Sequence, residues 1–158
     1  MRFDLLKDYN RIQEYAEVCW LAMGDNPGPI AQEFIQEITR YVDNANSDNP
    51  IIDRDRGLAF AVFDDKGGIA GTLCANEDRH FTDCLQLNHL AVTPGARGRM
   101  YGRILLNKVA ESVKKYSGLK YIIGSTVTAG PFYEALRIKK IGEITANGYT
   151  RYFYGKEI

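Results

Sequence analysis

Gly95, Gly98 and Gly102 alternate with Arg97, Arg99 and Arg103 between the apolar run Leu87-Asn88-His89-Leu90-Ala91-Val92 and the segment Ile104-Leu105-Leu106. Strand, glycine-rich basic loop and helix start, in that order, build an anion site. A helix N-terminus leaves its first N–H groups unpaired, and glycine lets main chain approach a ligand where a Cβ would obstruct it. Phosphate or pyrophosphate is the ligand such a site suits. The same glycines also serve a tight strand-to-helix connection, so a purely structural reading stands beside it. Two nucleotide signatures are missing: Gly-x-Gly-x-x-Gly does not occur here, and no Gly-Lys-Ser/Thr closes the loop.

Other reactive side chains are sparse. His89 has the intrinsic acidity of a general base. Strict strand alternation places Gln86, Asn88 and Leu90 on one face and Leu87, His89 and Ala91 on the other, so His89 is expected as a hydrogen-bonded structural residue pointing away from a site on the Gln86 and Asn88 face. His80 and Asp83 precede the strand and would border a pocket or simply be solvated. Cys84 has no recognisable histidine partner and reads as structural.

These groups need a scaffold, and the hydrophobic periods supply one. Ile12, Tyr15, Ala16, Cys19 and Trp20 mark a helix over about 10–23, stopped by Gly24-Asp25-Asn26-Pro27-Gly28-Pro29; Phe34, Ile35, Ile38, Tyr41 and Val42 mark a second over about 30–42. Gly57–Phe63 and Ile69–Cys74 read as a hairpin across Asp64-Asp65-Lys66-Gly67-Gly68. A strand over 83–92 follows, then a helix marked by Leu105, Val109, Val113 and Tyr116, and a strand near 119–125. A short helix carries Phe132-Tyr133, and Asn147-Gly148 turns a final hairpin between 138–146 and 149–154. This is an α/β domain with a mixed sheet.

The chain has 158 residues, the size of one domain spanning 1–158 with a core that needs no staples. Twenty basic and twenty acidic residues cancel, so no global field draws the protein to nucleic acid or to an anionic membrane, and any anion site is local. Cys19, Cys74 and Cys84 are odd in number and unpaired in spacing, and no secretory run opens the chain, which fits a reducing cytoplasm. With His80 and His89 as the only histidines, no metal site is expected.

Strand, loop and helix together resemble the N-acetyltransferase superfamily GNAT, whose signature Arg/Gln-x-x-Gly-x-Gly/Ala follows a strand ending in Leu-Ala-Val. Arg97-Gly98-Arg99-Met100-Tyr101-Gly102 aligns with it behind Leu90-Ala91-Val92, with Met100 in place of the central glycine. A second resemblance lies downstream. The family pattern Asn-x-x-Ala-x-x-Phe-Tyr, followed by Gly-Phe, is matched by Thr126, Ala129, Phe132 and Tyr133, followed by Arg137-Ile138.

The resemblance implies a mostly antiparallel central sheet with helices on both faces, and direct transfer of an acetyl group from acetyl-coenzyme A to the amine of a small molecule or peptide. It implies a pyrophosphate held by the amides from Gly98 to Arg103, including those of Met100, Tyr101 and Gly102, with charge added by Arg97, Arg99 and Arg103. It implies a pantetheine arm along Leu90-Ala91-Val92, Thr126 beside the cofactor, and Tyr133 as donor of a proton to the departing thiolate. Met100 is expected to turn outward on a backbone kept at negative φ. Gln86 and Asn88 occupy the family's base positions and, being amides, would orient a water or the acceptor. The acceptor would lie between the first two helices, the Asn88 strand and the Asn147-Gly148 hairpin. Tyr149, Tyr152, Phe153 and Tyr154 would line that pocket, pack the sheet or join two protomers into a homodimer. Met100, Thr126 and the missing strand carboxylate also fit a module of this fold that binds coenzyme A or a partner without turnover.

Overall fold

The computed structural model describes residues 1–22, 28–78, 81, 83–126 and 130–157; the turn at 24–27, His80 and Ala129 lie outside the described residues. In chain order the elements are β1 (Arg2–Leu5), α1 (Ile12–Leu21), α2 (Gln32–Ala45), β2 (Leu58–Phe63), β3 (Ile69–Glu77), β4 (Cys84–Val92), α3 (Tyr101–Tyr116), β5 (Tyr121–Thr126), α4 (Gly130–Ala135), β6 (Lys139–Ala146) and β7 (Tyr149–Glu157). The strands form one sheet in the order β1-β2-β3-β4-β5-β7-β6. Every pairing is antiparallel except β4 with β5.

Each face of the sheet is covered by helices. On one, α1 and α2 bring Tyr15, Ala16, Phe34, Ile38 and Val42 onto Ala59, Ala61, Cys74 and Ala91, whose small side chains let the helices approach closely. On the other, Leu105, Val109 and Val113 of α3 meet Leu58, Phe60, Val62, Leu73, Leu85 and Leu87. Full burial of such side chains stabilises by about 1.5–3 kcal/mol each. That is why the three apolar positions four residues apart decide where α3 sits.

Four elements exceed the expectation: β3 and β7 each run three residues further, to Glu77 and Glu157, and β1 and α2 differ for reasons of packing. β1 adds an edge strand against β2, with Phe3 stacked on Phe60 at 5.6 Å; four residues are too few for alternation to announce a strand. Helix α2 runs past Val42 to Ala45 because Asn44 is buried and used: its Nδ2 donates to the carbonyls of Ile51 and Gly57 at 2.8 and 2.7 Å. Those two bonds suspend the 46–57 loop beside the open edge of α2.

Two breaks in the sheet position the site. First, β4 and β5 pair only from Cys84↔Tyr121 to Leu87↔Gly124, after which β4 continues along β3 and β5 along β7. The sheet therefore parts after Leu87 and Gly124. Second, the β3–β4 register runs Thr72↔Ala91 and then Cys74↔Asn88, so the single residue Leu73 faces both His89 and Leu90. His89 is the bulged residue, with φ 54°, and its carbonyl accepts the Thr72 hydroxyl at 2.9 Å.

This bulge overturns the strict alternation expected for β4. His89 joins Gln86 and Asn88 on the side facing α2, where all three border one cavity. Leu90 packs instead into the α3-side core with Leu87, and Ala91 into the α1-side core.

Candidate functional site

The loop into α3 begins with a 3-10 turn, Pro94–Ala96, pinned by buried Ala96. Gly98 follows with φ 77°, then Met100 as the residue preceding the helix. In this turn the Arg97 and Arg99 amides bond back to the carbonyls of Pro94 and Ala96. The amides of Gly98, Met100, Tyr101, Gly102 and Arg103 donate to no group among the described residues, and no side chain caps the helix. Arg97 turns its Nε toward the Val92 carbonyl at 3.4 Å, and Arg97, Arg99 and Arg103 are exposed. Free donors at the positive end of a 16-residue helix, with exposed cations around them, suit a phosphate group.

Met100 corrects one expectation. Its backbone is left-handed, φ 63° and ψ 16°, a region that favours glycine, while its side chain still turns outward, 58% exposed. A non-glycine residue there costs roughly 1–2 kcal/mol. Met100→Gly is therefore expected to raise unfolding free energy by about 1 kcal/mol, read from urea denaturation.

Gly102 also differs in its reason. A Cβ at Gly102 would lie 3.1 Å from the Phe132 ring and 3.6 Å from Val92, so its smallness serves the contact of α3 with α4 and β4 rather than the approach of a ligand to its amide. A β-branched residue there would push into that contact.

Where β4 and β5 part, a cleft of about 380 Å³ opens. Leu90, Ala91 and Val92 line one side, Ser125 and Thr126 the other, and Gly102, Phe132 and Tyr133 close the α3 and α4 end. Tyr133 is 6% exposed, its ring stacked on Tyr154 at 4.9 Å and edge-on to Phe132 at 5.5 Å. Its hydroxyl rests over Gly124, where a Cβ would come within 2.7 Å of it. Burial pushes the Tyr133 phenol above its ordinary value, so it holds its proton. From the final hairpin only Arg151 reaches this cleft among the described residues, donating to Ser125 Oγ at 3.3 Å. Tyr149 is exposed, and Tyr154 is buried packing.

On the other side of β4 lies a polar cavity of about 700 Å³, bounded by α2, the 54–57 loop, Asn76, Gln86, Asn88 and His89. Of the regions expected around the acceptor, α2 and the Asn88 strand border this cavity, and no residue of the Asn147-Gly148 hairpin lines it among the described residues. Asn88 Nδ2 donates to Asn76 Oδ1, which fixes the amide. Asn88 and His89 border both cleft and cavity.

A residue the sequence did not single out supports His89. Glu37 of α2 brings Oε1 to 3.6 Å from His89 Nε2, and the same oxygen accepts the Tyr41 hydroxyl at 2.6 Å. The adjacent imidazole is the main reason the Glu37 carboxyl titrates below its usual range, with the Tyr41 bond and the charge of Arg40 adding to it. Phe34 meets the imidazole edge-on at 4.8 Å, and Nδ1 has no hydrogen-bond partner among the described residues. The imidazole is thus held with one nitrogen toward a carboxylate and the other available.

The cysteines do not compete with it. Cys19 lies 3.3 Å from the Thr72 hydroxyl and burial pushes its thiol up to about 12; burial also raises Cys74 and Cys84. Among the described residues no group of three or more His, Cys, Asp or Glu side chains gathers as metal ligands do, and no helix is long and apolar enough to cross a membrane.

A mixed sheet that parts between its two parallel strands, beside a helix start rich in free donors, is the architecture of an acyltransferase. The chain belongs to the acetyltransferase (GNAT) family, whose profile matches residues 13–136. An acetyltransferase of that family from Desulfovibrio desulfuricans is 18% identical, with TM-score 0.73 over 99% of this chain and 98% of that one. An aminoglycoside 6′-N-acetyltransferase complexed with coenzyme A is 17% identical, with TM-score 0.71 over 99% and 97%. An N-acetyltransferase from Staphylococcus aureus Mu50 is 13% identical, with TM-score 0.74 over 99% of each chain. At such identities the likeness is one of fold. No curated protein matches this chain.

Proposed function

We propose that this protein transfers an acetyl group from acetyl-coenzyme A to an amine. The observation that carries the reading is the continuity of three features around β4: free amides at the start of α3, the cleft between β4 and β5, and the polar cavity that meets the cleft at Asn88 and His89. When bound, acetyl-coenzyme A supplies an acyl carbon activated toward amines.

The chain's own residues divide the remaining work. The amides of Gly98, Met100, Tyr101, Gly102 and Arg103 hold phosphate, with Arg97, Arg99 and Arg103 adding charge. Leu90, Ala91 and Val92 offer main chain along one side of the cleft, and Thr126 faces them. Ammonium is not nucleophilic, so the acceptor must lose a proton. His89 Nδ1 takes it, while Glu37 faces Nε2 of the imidazole and stabilises the positive charge that develops on the ring. Gln86 and the fixed Asn88 orient the acceptor. Tyr133 delivers a proton from Oη at the far end of the cleft.

The rival reading, a binding module without turnover, draws on Met100, on Thr126 and on the lack of a carboxylate on β4. Met100 keeps the backbone shape of a glycine, and Glu37 provides a carboxylate from α2. Calorimetry with acetyl-coenzyme A, ATP and NAD, together with thiol release across an amine panel, tests the proposal. Acetyl-coenzyme A binding with amine-dependent thiol release is expected. Binding without release above hydrolysis would make it a module, and preferential ATP or NAD binding would make it another kind of nucleotide-binding protein.

A further inference from the structure

Resting on that acyltransferase reading, His89 can serve as base only while its bulge is held, because φ 54° is an unfavourable conformation for a residue with a Cβ. Thr72 lies beside this irregularity, in register with Ala91. β3 buries every residue from Ile69 to Ala75, and Thr72 carries the one hydroxyl in that run, with no exposure at all. Valine has nearly the same shape and suits a strand as well, so packing does not call for the oxygen.

That oxygen makes two bonds. It accepts from the Cys19 thiol of α1 at 3.3 Å and donates to the His89 carbonyl at 2.9 Å, and Cys19 Sγ lies 3.9 Å from the same carbonyl. A side chain stands off the face of a sheet, whereas the carbonyls of a regular ladder lie in the sheet and point to the next strand. The His89 carbonyl meets the Thr72 hydroxyl on the α1 side because the bulge tips it out of that ladder. Regular pairing would withdraw this acceptor and leave a wholly buried hydroxyl with a thiol alone for a partner, a costly arrangement for a polar group. The bond therefore favours the bulged strand and penalises the regular one. We infer that Thr72 is a positioning residue for acyl transfer: its hydroxyl, oriented by Cys19, clamps the His89 carbonyl and so keeps the imidazole on the cavity face, against Phe34 and Glu37.

Thr72→Val and Thr72→Ser separate the hydroxyl from the packing. In full-length protein saturated with acetyl-coenzyme A and with the amine that gives most thiol release, Thr72→Val is expected to slow transfer at neutral pH by about tenfold, the scale of losing such a bond and leaving its acceptor unpaired, while Thr72→Ser stays within about twofold of wild type. The Thr72→Val deficit should shrink toward the amine pKa, where a base is no longer needed, as a packing defect would not. In a His89→Gln background Thr72→Val should slow transfer no further, because the clamp then has no base to position. The nuclear Overhauser contact between the His89 and Phe34 rings, read without substrates, should persist in wild type and Thr72→Ser and weaken in Thr72→Val. Should Thr72→Val not fold, Thr72→Ala set against Thr72→Ser makes the same comparison. An unchanged rate or an unchanged ring contact in Thr72→Val, an equal loss in Thr72→Ser, a deficit of one size at every pH, or a deficit undiminished in the His89→Gln background would overturn the inference. Absence of transfer by the wild-type protein would instead overturn the acyltransferase reading, and the ring contact would then decide by itself whether Thr72 clamps His89.

Discussion

His89→Gln is expected to slow acyl transfer at neutral pH by about 10²–10⁴-fold, the usual contribution of a general base, without weakening acetyl-coenzyme A binding. The variant keeps a polar side chain between Phe34 and Glu37 but removes the nitrogen that would take the amine proton. The pH profile separates this role from packing. Without a base, transfer depends on the fraction of acceptor already deprotonated, so the rate should climb about tenfold per pH unit up to the amine pKa and approach wild type there. A loss of equal size at every pH would assign His89 to structure, and an unchanged rate at neutral pH would remove it from catalysis. Glu37→Gln, which still accepts from Tyr41, should lower kcat less than His89→Gln does and leave KM for the acyl donor unchanged, as befits a positioning residue.

Much of the fold is legible because its helices and most of its strands bury one regular face. Leu105, Val109 and Val113 announce α3, and Asn147-Gly148 announces the last hairpin, whose turn residues both take positive φ. The site is less legible because it depends on irregularity. Leu85 to Val92 reads as an uninterrupted strand, and nothing in its composition marks the extra residue at His89; histidine tolerates positive φ somewhat better than most residues, a faint signal at best. One bulged residue moves the imidazole from the face where alternation puts it to the face of Gln86 and Asn88. Glu37 is less visible still. On a helical wheel it belongs to the polar side of α2, where solvated carboxylates are ordinary, and only the stacking of α2 over β4 brings it to His89.

The departures from the family signature show what its glycines specify. Met100 and Arg137 stand where the pattern has glycine, and both adopt left-handed backbone, φ 63° and 57°. Ile138, in place of the pattern's Phe, is 7% exposed and fills the core beside α4. The turns keep their shape without glycine, at a cost in strain, because the surrounding packing over-determines them. Gly102 keeps its identity for another reason, since Phe132 and Val92 occupy the space a side chain would need.

Tyr133→Phe removes one oxygen from a ring that is otherwise fixed by Tyr154 and Phe132. The hydroxyl has no hydrogen-bond partner among the described residues, so its loss should leave the melting temperature nearly unchanged. Cofactor affinity should also hold, because the phosphate donors at the start of α3 are untouched. The chemical step is expected to slow by about 10²-fold, the lower end of general-acid contributions, since water in an open cleft replaces part of the proton supply. The sign of the pH dependence follows from burial. The Tyr133 phenol is raised above its ordinary value of 10.0, so it stays protonated, and wild-type transfer should show no alkaline loss from this group below that pH. Single-turnover transfer, with acetyl-coenzyme A affinity measured in parallel, is the deciding experiment. Equal single-turnover rates for wild type and Tyr133→Phe would return Tyr133 to packing over Gly124, whereas a slowed step at full affinity would make its hydroxyl the proton source in the cleft.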